Sequence, residues 1–334
     1  MKIAVIGAGA IGGLVAGYLK FRNEDVTLIA RPQSAEAIKK NGLNIGGSRG
    51  DINVRIDAAS SLDFSPDLAI LAVKTQDCEK AVNGNLKFLK DSVILTTQNG
   101  VQAENIVSRY IPKENIVSGI VMFGSTYLEL SKIVHNFEGP WIIGNFFKGK
   151  EDNLSAIYRI LKKAFPVVIS EDIKGMKYLK IFINANNCIP AILGVSMQEA
   201  FRDLEISRIS IAIWKEALEV VKKSGIKITS LPDFPVERIT GMVAMPPLEA
   251  AKVFSGVMVN LSKEPLYGSI LQSIKRNRPS EIEYINGEFV HLAKQNKVFA
   301  PLNERLVNLV YRVEITKKFL TKEQLLLEVK EFCK

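Results

Sequence analysis

The sequence predicts an α/β class chain: a mainly parallel sheet domain followed by an all-helical C-terminal domain. Three observations carry this. Short apolar runs alternate with helix-period segments over the first half of the chain. A glycine-rich turn joins the first run to the first helix. From about residue 172 the period is almost wholly helical, interrupted at Pro190, Gly225, Pro232, Pro235, Pro246-Pro247, Pro279 and Pro301. A length of 334 residues suits two domains, which we place at 1–170 and 171–334.

Lys2–Ile6 (KIAVI) is a short apolar, β-rich run and is expected to be a buried parallel strand. Ala10–Phe21 then has helical periodicity, with Ile11, Leu14, Val15, Tyr18 and Leu19 on one side. Residues 26–30 (VTLIA), 67–73 (DLAILAV) and 92–96 supply three further strands. Helical segments are expected near 35–40, 77–89 and 102–110. Alternation at this spacing means βαβ units. Residues 116–144 are rich in Val, Ile, Phe and Gly and predict an antiparallel extension, with 165–170 (FPVVIS) as the last strand.

Composition removes several classes. With 47% hydrophobic and 24% charged residues the chain is too apolar to be disordered. No stretch approaches 18 uninterrupted apolar residues, so no membrane span is expected. The apolar N-terminal run lacks a small-x-small cleavage site, and a cytoplasmic location is the default expectation. Cys78, Cys188 and Cys333 have no pairing or ribbon spacing, and His135 and His291 lie far apart, so no metal is expected. Both histidines are read as structural, Met242, Met245 and Met258 as core or interface filler, and Cys78 and Cys188 as small buried hydrophobes.

The net charge of +9 raises nucleic acid as a partner. The basic residues are scattered pairs, however, and the densest run is only Lys275-Arg276-Asn277-Arg278. We read them as solvated helix faces, whose field would also draw a small anionic substrate. Neither a nucleic-acid nor a membrane partner is expected. The apolar stretch 253–261 points to a homodimer.

Gly7-Ala8-Gly9-Ala10-Ile11-Gly12 fits G-x-G-x-x-G in its required context, after a strand and opening a helix. In a Rossmann-type unit the first glycine permits the tight turn. The second lets backbone approach a pyrophosphate, and the third allows close helix–strand packing. An NAD site usually carries an acid at the end of the second strand; here that strand ends in Ala30-Arg31, while Glu24 and Asp25 lie at its other end. Arg31 can hold a 2′-phosphate in a bidentate fork, so the expected cofactor is NADP (NADPH).

Four further motifs follow in order: Val73-Lys74-Thr75-Gln76-Asp77; Thr97-Gln98-Asn99-Gly100-Val101; Tyr178-Leu179-Lys180 with Asn184; and Arg278-Pro279-Ser280-Glu281-Ile282-Glu283-Tyr284-Ile285-Asn286-Gly287. Together they resemble the ketopantoate reductase (2-dehydropantoate 2-reductase) family over nearly the whole chain. The resemblance implies NADPH reduction of ketopantoate to pantoate, on the route to pantothenate and coenzyme A, in a cleft between the two domains. It implies Lys180 as general acid and Glu281 as its acidic partner, which also orients the substrate. Asn99 would sit beside the nicotinamide, Lys74 near cofactor ribose and substrate, and Gln76 with the cofactor. Asn184 and Ser269 would bind substrate.

Two positions depart from that pattern. Cys188 stands where a second asparagine is common, and Ser273 where an aspartate is common. On a continuous helix Asn187 lies only about 20° from Lys180 and Cys188 about 80°, so Asn187 is expected to serve as the second substrate asparagine. Asn186 is read as polar decoration of an interface helix. Other readings are a reductase of another 2-oxo acid, an opine- or hydroxyacid-type dehydrogenase on the same scaffold, and a non-catalytic dinucleotide-sensing protein. The presence of both Lys180 and Glu281 argues against a sensor.

Overall fold

The computed structural model describes residues 1–332, so Cys333 lies outside the described residues. The chain divides into two compact units, Met1–Lys174 and Gly175–Lys334. The first contains β1 (Lys2–Ile6), α1 (Ala10–Phe21), β2 (Asp25–Ile29), α2 (Pro32–Asn41), β3 (Leu43–Gly47), β4 (Ile52–Val54), β5 (Asp57–Ala59) and β6 (Leu68–Leu71). It continues with α3 (Cys78–Asn83), α4 (Leu86–Leu89), β7 (Val93–Thr96), α5 (Gln102–Val107), β8 (Ile116–Val121), β9 (Gly124–Glu129) and β10 (Lys132–Phe137). It closes with β11 (Trp141–Gly144), α6 (Glu151–Leu161) and β12 (Val167–Ser170).

An eight-stranded sheet runs β12-β11-β8-β7-β6-β1-β2-β5. Its neighbours are parallel except β8 and β11, which pair antiparallel. Strand alternation sorts its side chains between two cores. Ile3, Val5, Leu28, Ile70 and Leu95 enter one, and Ala4, Ile6, Ile29, Ala69 and Ile94 the other.

A second, four-stranded sheet, β4-β3-β10-β9, packs on α1. Gly13 and Gly17 make that approach possible. A side chain at Gly17 would meet Leu43 Cδ2 at 3.1 Å, and one at Gly13 would collide with Ile133. The expected antiparallel extension over 116–144 is therefore split between two sheets. The strands at 43–59 and helix α6 were not anticipated. The helix expected over 77–89 is interrupted at Gly84-Asn85, with a 3₁₀ turn at Thr75–Asp77 before it.

The second unit is helical: α7 (Ile173–Ala185), which begins just before it, α8 (Cys188–Leu193), α9 (Met197–Phe201), α10 (Leu204–Lys223) and α11 (Glu237–Ala244). Then come α12 (Pro247–Val259), α13 (Ser269–Lys275), α14 (Asn286–Gln295), α15 (Pro301–Thr316) and α16 (Lys322–Val329). Asp203 caps α10 through the backbone N–H groups of Glu205 and Ile206, and Thr321 opens α16 in a capping box with Gln324. Among the described residues no helix is long and apolar enough to cross a membrane.

Candidate active site

The glycine turn after β1 has the shape its sequence implies. Gly7 has φ +110°, and a Cβ there would lie 2.9 Å from the Ala72 carbonyl, so only glycine fits. Gly12 is pressed against Gly7 O and Ala72 Cβ. Gly9 is the opposite case: it is exposed, and a Cβ there would meet nothing within 4 Å. It sits at the N-cap of α1, where no side chain caps the helix and the first turn holds no acid. The leading N–H groups of α1 thus form a ready anion cradle. This donor set, with open space above Gly9, fits a dinucleotide pyrophosphate.

Arg31 follows β2, exposed, at the N-cap position of α2. Lys74 and Gln76 follow β6, and Asn99 follows β7; all three are half-buried. Because β7, β6, β1 and β2 are consecutive parallel neighbours, these loops and the glycine turn share the sheet's carboxyl edge. Glu24, at the amino end of β2, pairs with Lys163.

The two loops carrying Lys74 and Asn99 are tied together by a residue that the sequence reading assigned no role. Gln98 Nε2 donates to Leu71 O (2.7 Å) and Val73 O (2.8 Å), and its Oε1 accepts from Thr97 N (3.0 Å). Thr97 Oγ1 also donates to Leu71 O (3.0 Å), and Thr75 Oγ1 to Asn99 O (3.4 Å). At the foot of the second loop Glu104, wholly buried, accepts from Thr96 Oγ1 (2.7 Å) and Ser118 Oγ (2.5 Å).

In the helical unit Lys180 and Asn184 lie one turn apart on α7, on one face. Lys180 is half-buried, and desolvation draws its ammonium pKa from the ordinary 10.5 to about 8. Three contacts set the rotation of α7. Tyr178 Oη donates to Glu288 Oε1 on α14 at 3.4 Å, the Phe182 and Phe289 rings lie 4.9 Å apart, and Trp214 Nε1 on α10 donates to Phe182 O at 2.8 Å. Burial, with Glu288 beside it, pushes the Tyr178 hydroxyl well above the usual tyrosine range.

The continuous helix assumed for Asn187 and Cys188 is not present. α7 ends at Ala185, Asn186-Asn187 form a turn, and α8 restarts at Cys188. Asn187 packs against Gly268 instead. Its Cβ and Cγ lie 3.2 Å from where a Gly268 side chain would begin, next to Ser269, which opens α13 exposed. Asn186 is not surface decoration: it is 3% exposed, and neither side-chain amide atom has a hydrogen-bond partner. Cys188 is buried and its thiol is pushed up to about 12, which makes it inert; Cys78 is buried too.

Glu281 is half-buried just before the 3₁₀ turn Ile282–Tyr284, where Ser280 Oγ accepts from Ile282 N (3.3 Å). The rest of that run is structural. Glu283 accepts from Tyr311 Oη (2.8 Å), and buried Asn286 donates to Asn303 Oδ1 (3.0 Å), which Glu216 anchors in turn. Ser273 Oγ turns back to Ser269 O (2.8 Å). His135 is buried against Tyr18 Oη (3.0 Å) and His291 bonds Gln295, while Met245 is exposed, outside the core but open to an interface role.

A parallel sheet with a glycine-rich first turn, followed by a helical unit bearing a desolvated lysine, defines a two-unit oxidoreductase of the pyridine-nucleotide type. Residues 3–147 match the family model for ketopantoate reductase PanE/ApbA, and residues 172–314 match the model for its C-terminal region. The 2-dehydropantoate 2-reductase of Pyrococcus horikoshii is 31% identical over 93% of this chain and 96% of its own. That of Archaeoglobus fulgidus is 26% identical over 94% and 98%. Among solved structures, D-mandelate dehydrogenase with NADH and anilino(oxo)acetate is similar at TM-score 0.82, with 24% identity over 95% of this chain and 99% of that one. A PanE/ApbA family ketopantoate reductase from Ralstonia eutropha is similar at TM-score 0.80, with 25% identity and the same coverage. The chain belongs to the ketopantoate reductase family.

Proposed function

We propose that this protein reduces ketopantoate to pantoate with NADPH, as a step toward pantothenate and coenzyme A, and that Lys180 is the general acid. The observation that carries the reading is Lys180 itself, a half-buried lysine whose ammonium is drawn to about 8 by desolvation. Such a group is charged near neutral pH and gives its proton up readily, as a general acid must. The cradle of residues 7–12, including Ala8, Ala10 and Ile11, holds the pyrophosphate; Arg31 holds the 2′-phosphate, Lys74 the ribose on the nicotinamide side, and Gln76 borders the cofactor. Bound there, the dihydronicotinamide supplies the hydride for C2 of the substrate. Lys180 Nζ stabilises the developing alkoxide and protonates it. Glu281 orients Lys180 and borders the cofactor. Asn99 and Lys74 border both ligands, and Asn184, Asn187 and Ser269 hold the substrate's polar groups.

The test is NADPH oxidation with ketopantoate against a panel of 2-oxo acids. Ketopantoate should lead by at least roughly tenfold in kcat/KM, the lower end of what one pocket contact discriminates. A second reading, reduction of a different 2-oxo acid, is favoured by Cys188 and Ser273, which stand where asparagine and aspartate are common in the family. A panel led by another 2-oxo acid would select it. Leu248, Val253, Val257 and Leu261, exposed on and just after α12, support a homodimer, which sedimentation would test.

A further inference from the structure

We propose that Gln98 is a positioning residue for the reaction: its side-chain amide locks the loop bearing Lys74 to the loop bearing Asn99. The proposal rests on the roles given above to those two residues. β6 and β7 pair as far as Leu71 and Thr96, and beyond them the two loops leave the ladder. Their carbonyls then need other donors. Gln98, 5% exposed, supplies both Nε2 hydrogens, one to Leu71 O and one to Val73 O, while its Oε1 takes Thr97 N. That last bond assigns the amide orientation. Only a primary amide can donate twice and accept once here. An isosteric carboxylate would set oxygen against oxygen, and a thioether would fill the volume without bonding.

The lock lies between β6 and β7, whereas the glycine turn follows β1 and Arg31 follows β2. It therefore acts on the loops assigned to the nicotinamide half of the cofactor site, while Arg31, which follows β2 two strands away from β6, stays outside it. Loops held in one relative position before a ligand arrives avoid ordering at the moment of reaction.

The experiment uses the full chain and the variant Gln98→Met. It measures kcat, the substrate KM, and dissociation constants for NADPH and for adenosine 2′-monophosphate, which carries only the part of the cofactor assigned to Arg31. Displaced loops should lower kcat by about 10–100-fold with KM changed less than about threefold. NADPH affinity should fall by roughly tenfold while adenosine 2′-monophosphate affinity stays within about twofold, since the Arg31 end of the site is not touched. Equal weakening of both ligands, which a merely structural role would give, overturns the proposal; so does a kcat within twofold of wild type. If Gln98→Met does not fold, Thr97→Val removes one bond of the same lock. It should lower kcat by about 3–10-fold with adenosine 2′-monophosphate binding intact, the worth of one hydrogen bond. An unchanged Thr97→Val kcat overturns the proposal in that case. Wild type that turns over no 2-oxo acid, or binds NADPH no tighter than the fragment, sinks the functional reading and this proposal with it. Wild type that passes both while Gln98→Met matches it sinks this proposal alone.

Discussion

The pH dependence of turnover follows from the burial of Lys180. Moving its ammonium from 10.5 to about 8 corresponds to about 3 kcal/mol against the charged form. With that pKa roughly nine tenths of the enzyme carries the proton at pH 7, and about one tenth at pH 9. Above pH 8.5 kcat/KM should fall close to tenfold per pH unit, whereas an ordinary lysine would hold the rate flat to pH 10. Steady-state NADPH oxidation from pH 6 to 10.5, in buffers free of primary amines, measures the limb. Lys180→Arg should be slower but lose the limb, because the guanidinium stays charged. Lys180→Ala should lower kcat by about 10²–10⁴-fold, the usual worth of a positioned acid. The sign for stability is opposite to a paired lysine's: the depressed folded pKa makes the fold gain stability as pH rises from about 8 toward 10.5. Lys180→Met should therefore stabilise the chain at pH 7, by up to about 3 kcal/mol. A flat profile to pH 10, a limb that survives in Lys180→Arg, or a Lys180→Ala enzyme within about threefold of wild type would each refute the reasoning.

Three further outcomes are expected. Arg31→Ala should weaken NADPH by about 1.5–3 kcal/mol, a charge-assisted contact, and leave NADH nearly unchanged; equal losses in calorimetric titrations would remove Arg31 from phosphate reading. Gly9→Ala should keep the thermal midpoint and lose dinucleotide affinity, because its Cβ meets only open space, whereas Gly12→Ala should lose the midpoint itself. Matching melts for the two variants would contradict that division. His135 is held below the ordinary histidine value, chiefly by desolvation, so the unfolded chain binds its proton first. Stability should then fall as pH drops below about 6.5 toward the folded value, and His135→Gln should flatten that part of a denaturation series. An unchanged slope would exclude His135 as the cause.

Local signals were legible in the sequence, and contacts between distant segments were not. The β1–α1 turn is written in consecutive residues. Gly7 needs a positive φ, Gly12 needs contact with Gly7 O, and the apolar period of Ala10–Phe21 fixes the helix that follows. The same holds for the loops after β6 and β7, because parallel strands must end on one edge. The four-stranded sheet on α1 was hidden. β3 pairs with β10, almost ninety residues on, and strands of three to five residues carry too little period to announce themselves. The turn at Asn186-Asn187 escaped a helical wheel, since a wheel presumes the continuity it is used to argue.

The sequence by itself determined the class of fold, the family and the residue types available for chemistry, because each rests on short-range order along the chain. Tertiary structure alone decided three things. It closed the carbonyls at and beyond the end of β6 with Gln98, placed Asn187 against Gly268, and lowered the Lys180 pKa. Each depends on what surrounds a side chain in space, and desolvation and hydrogen-bond partners are set by packing between segments far apart in the chain.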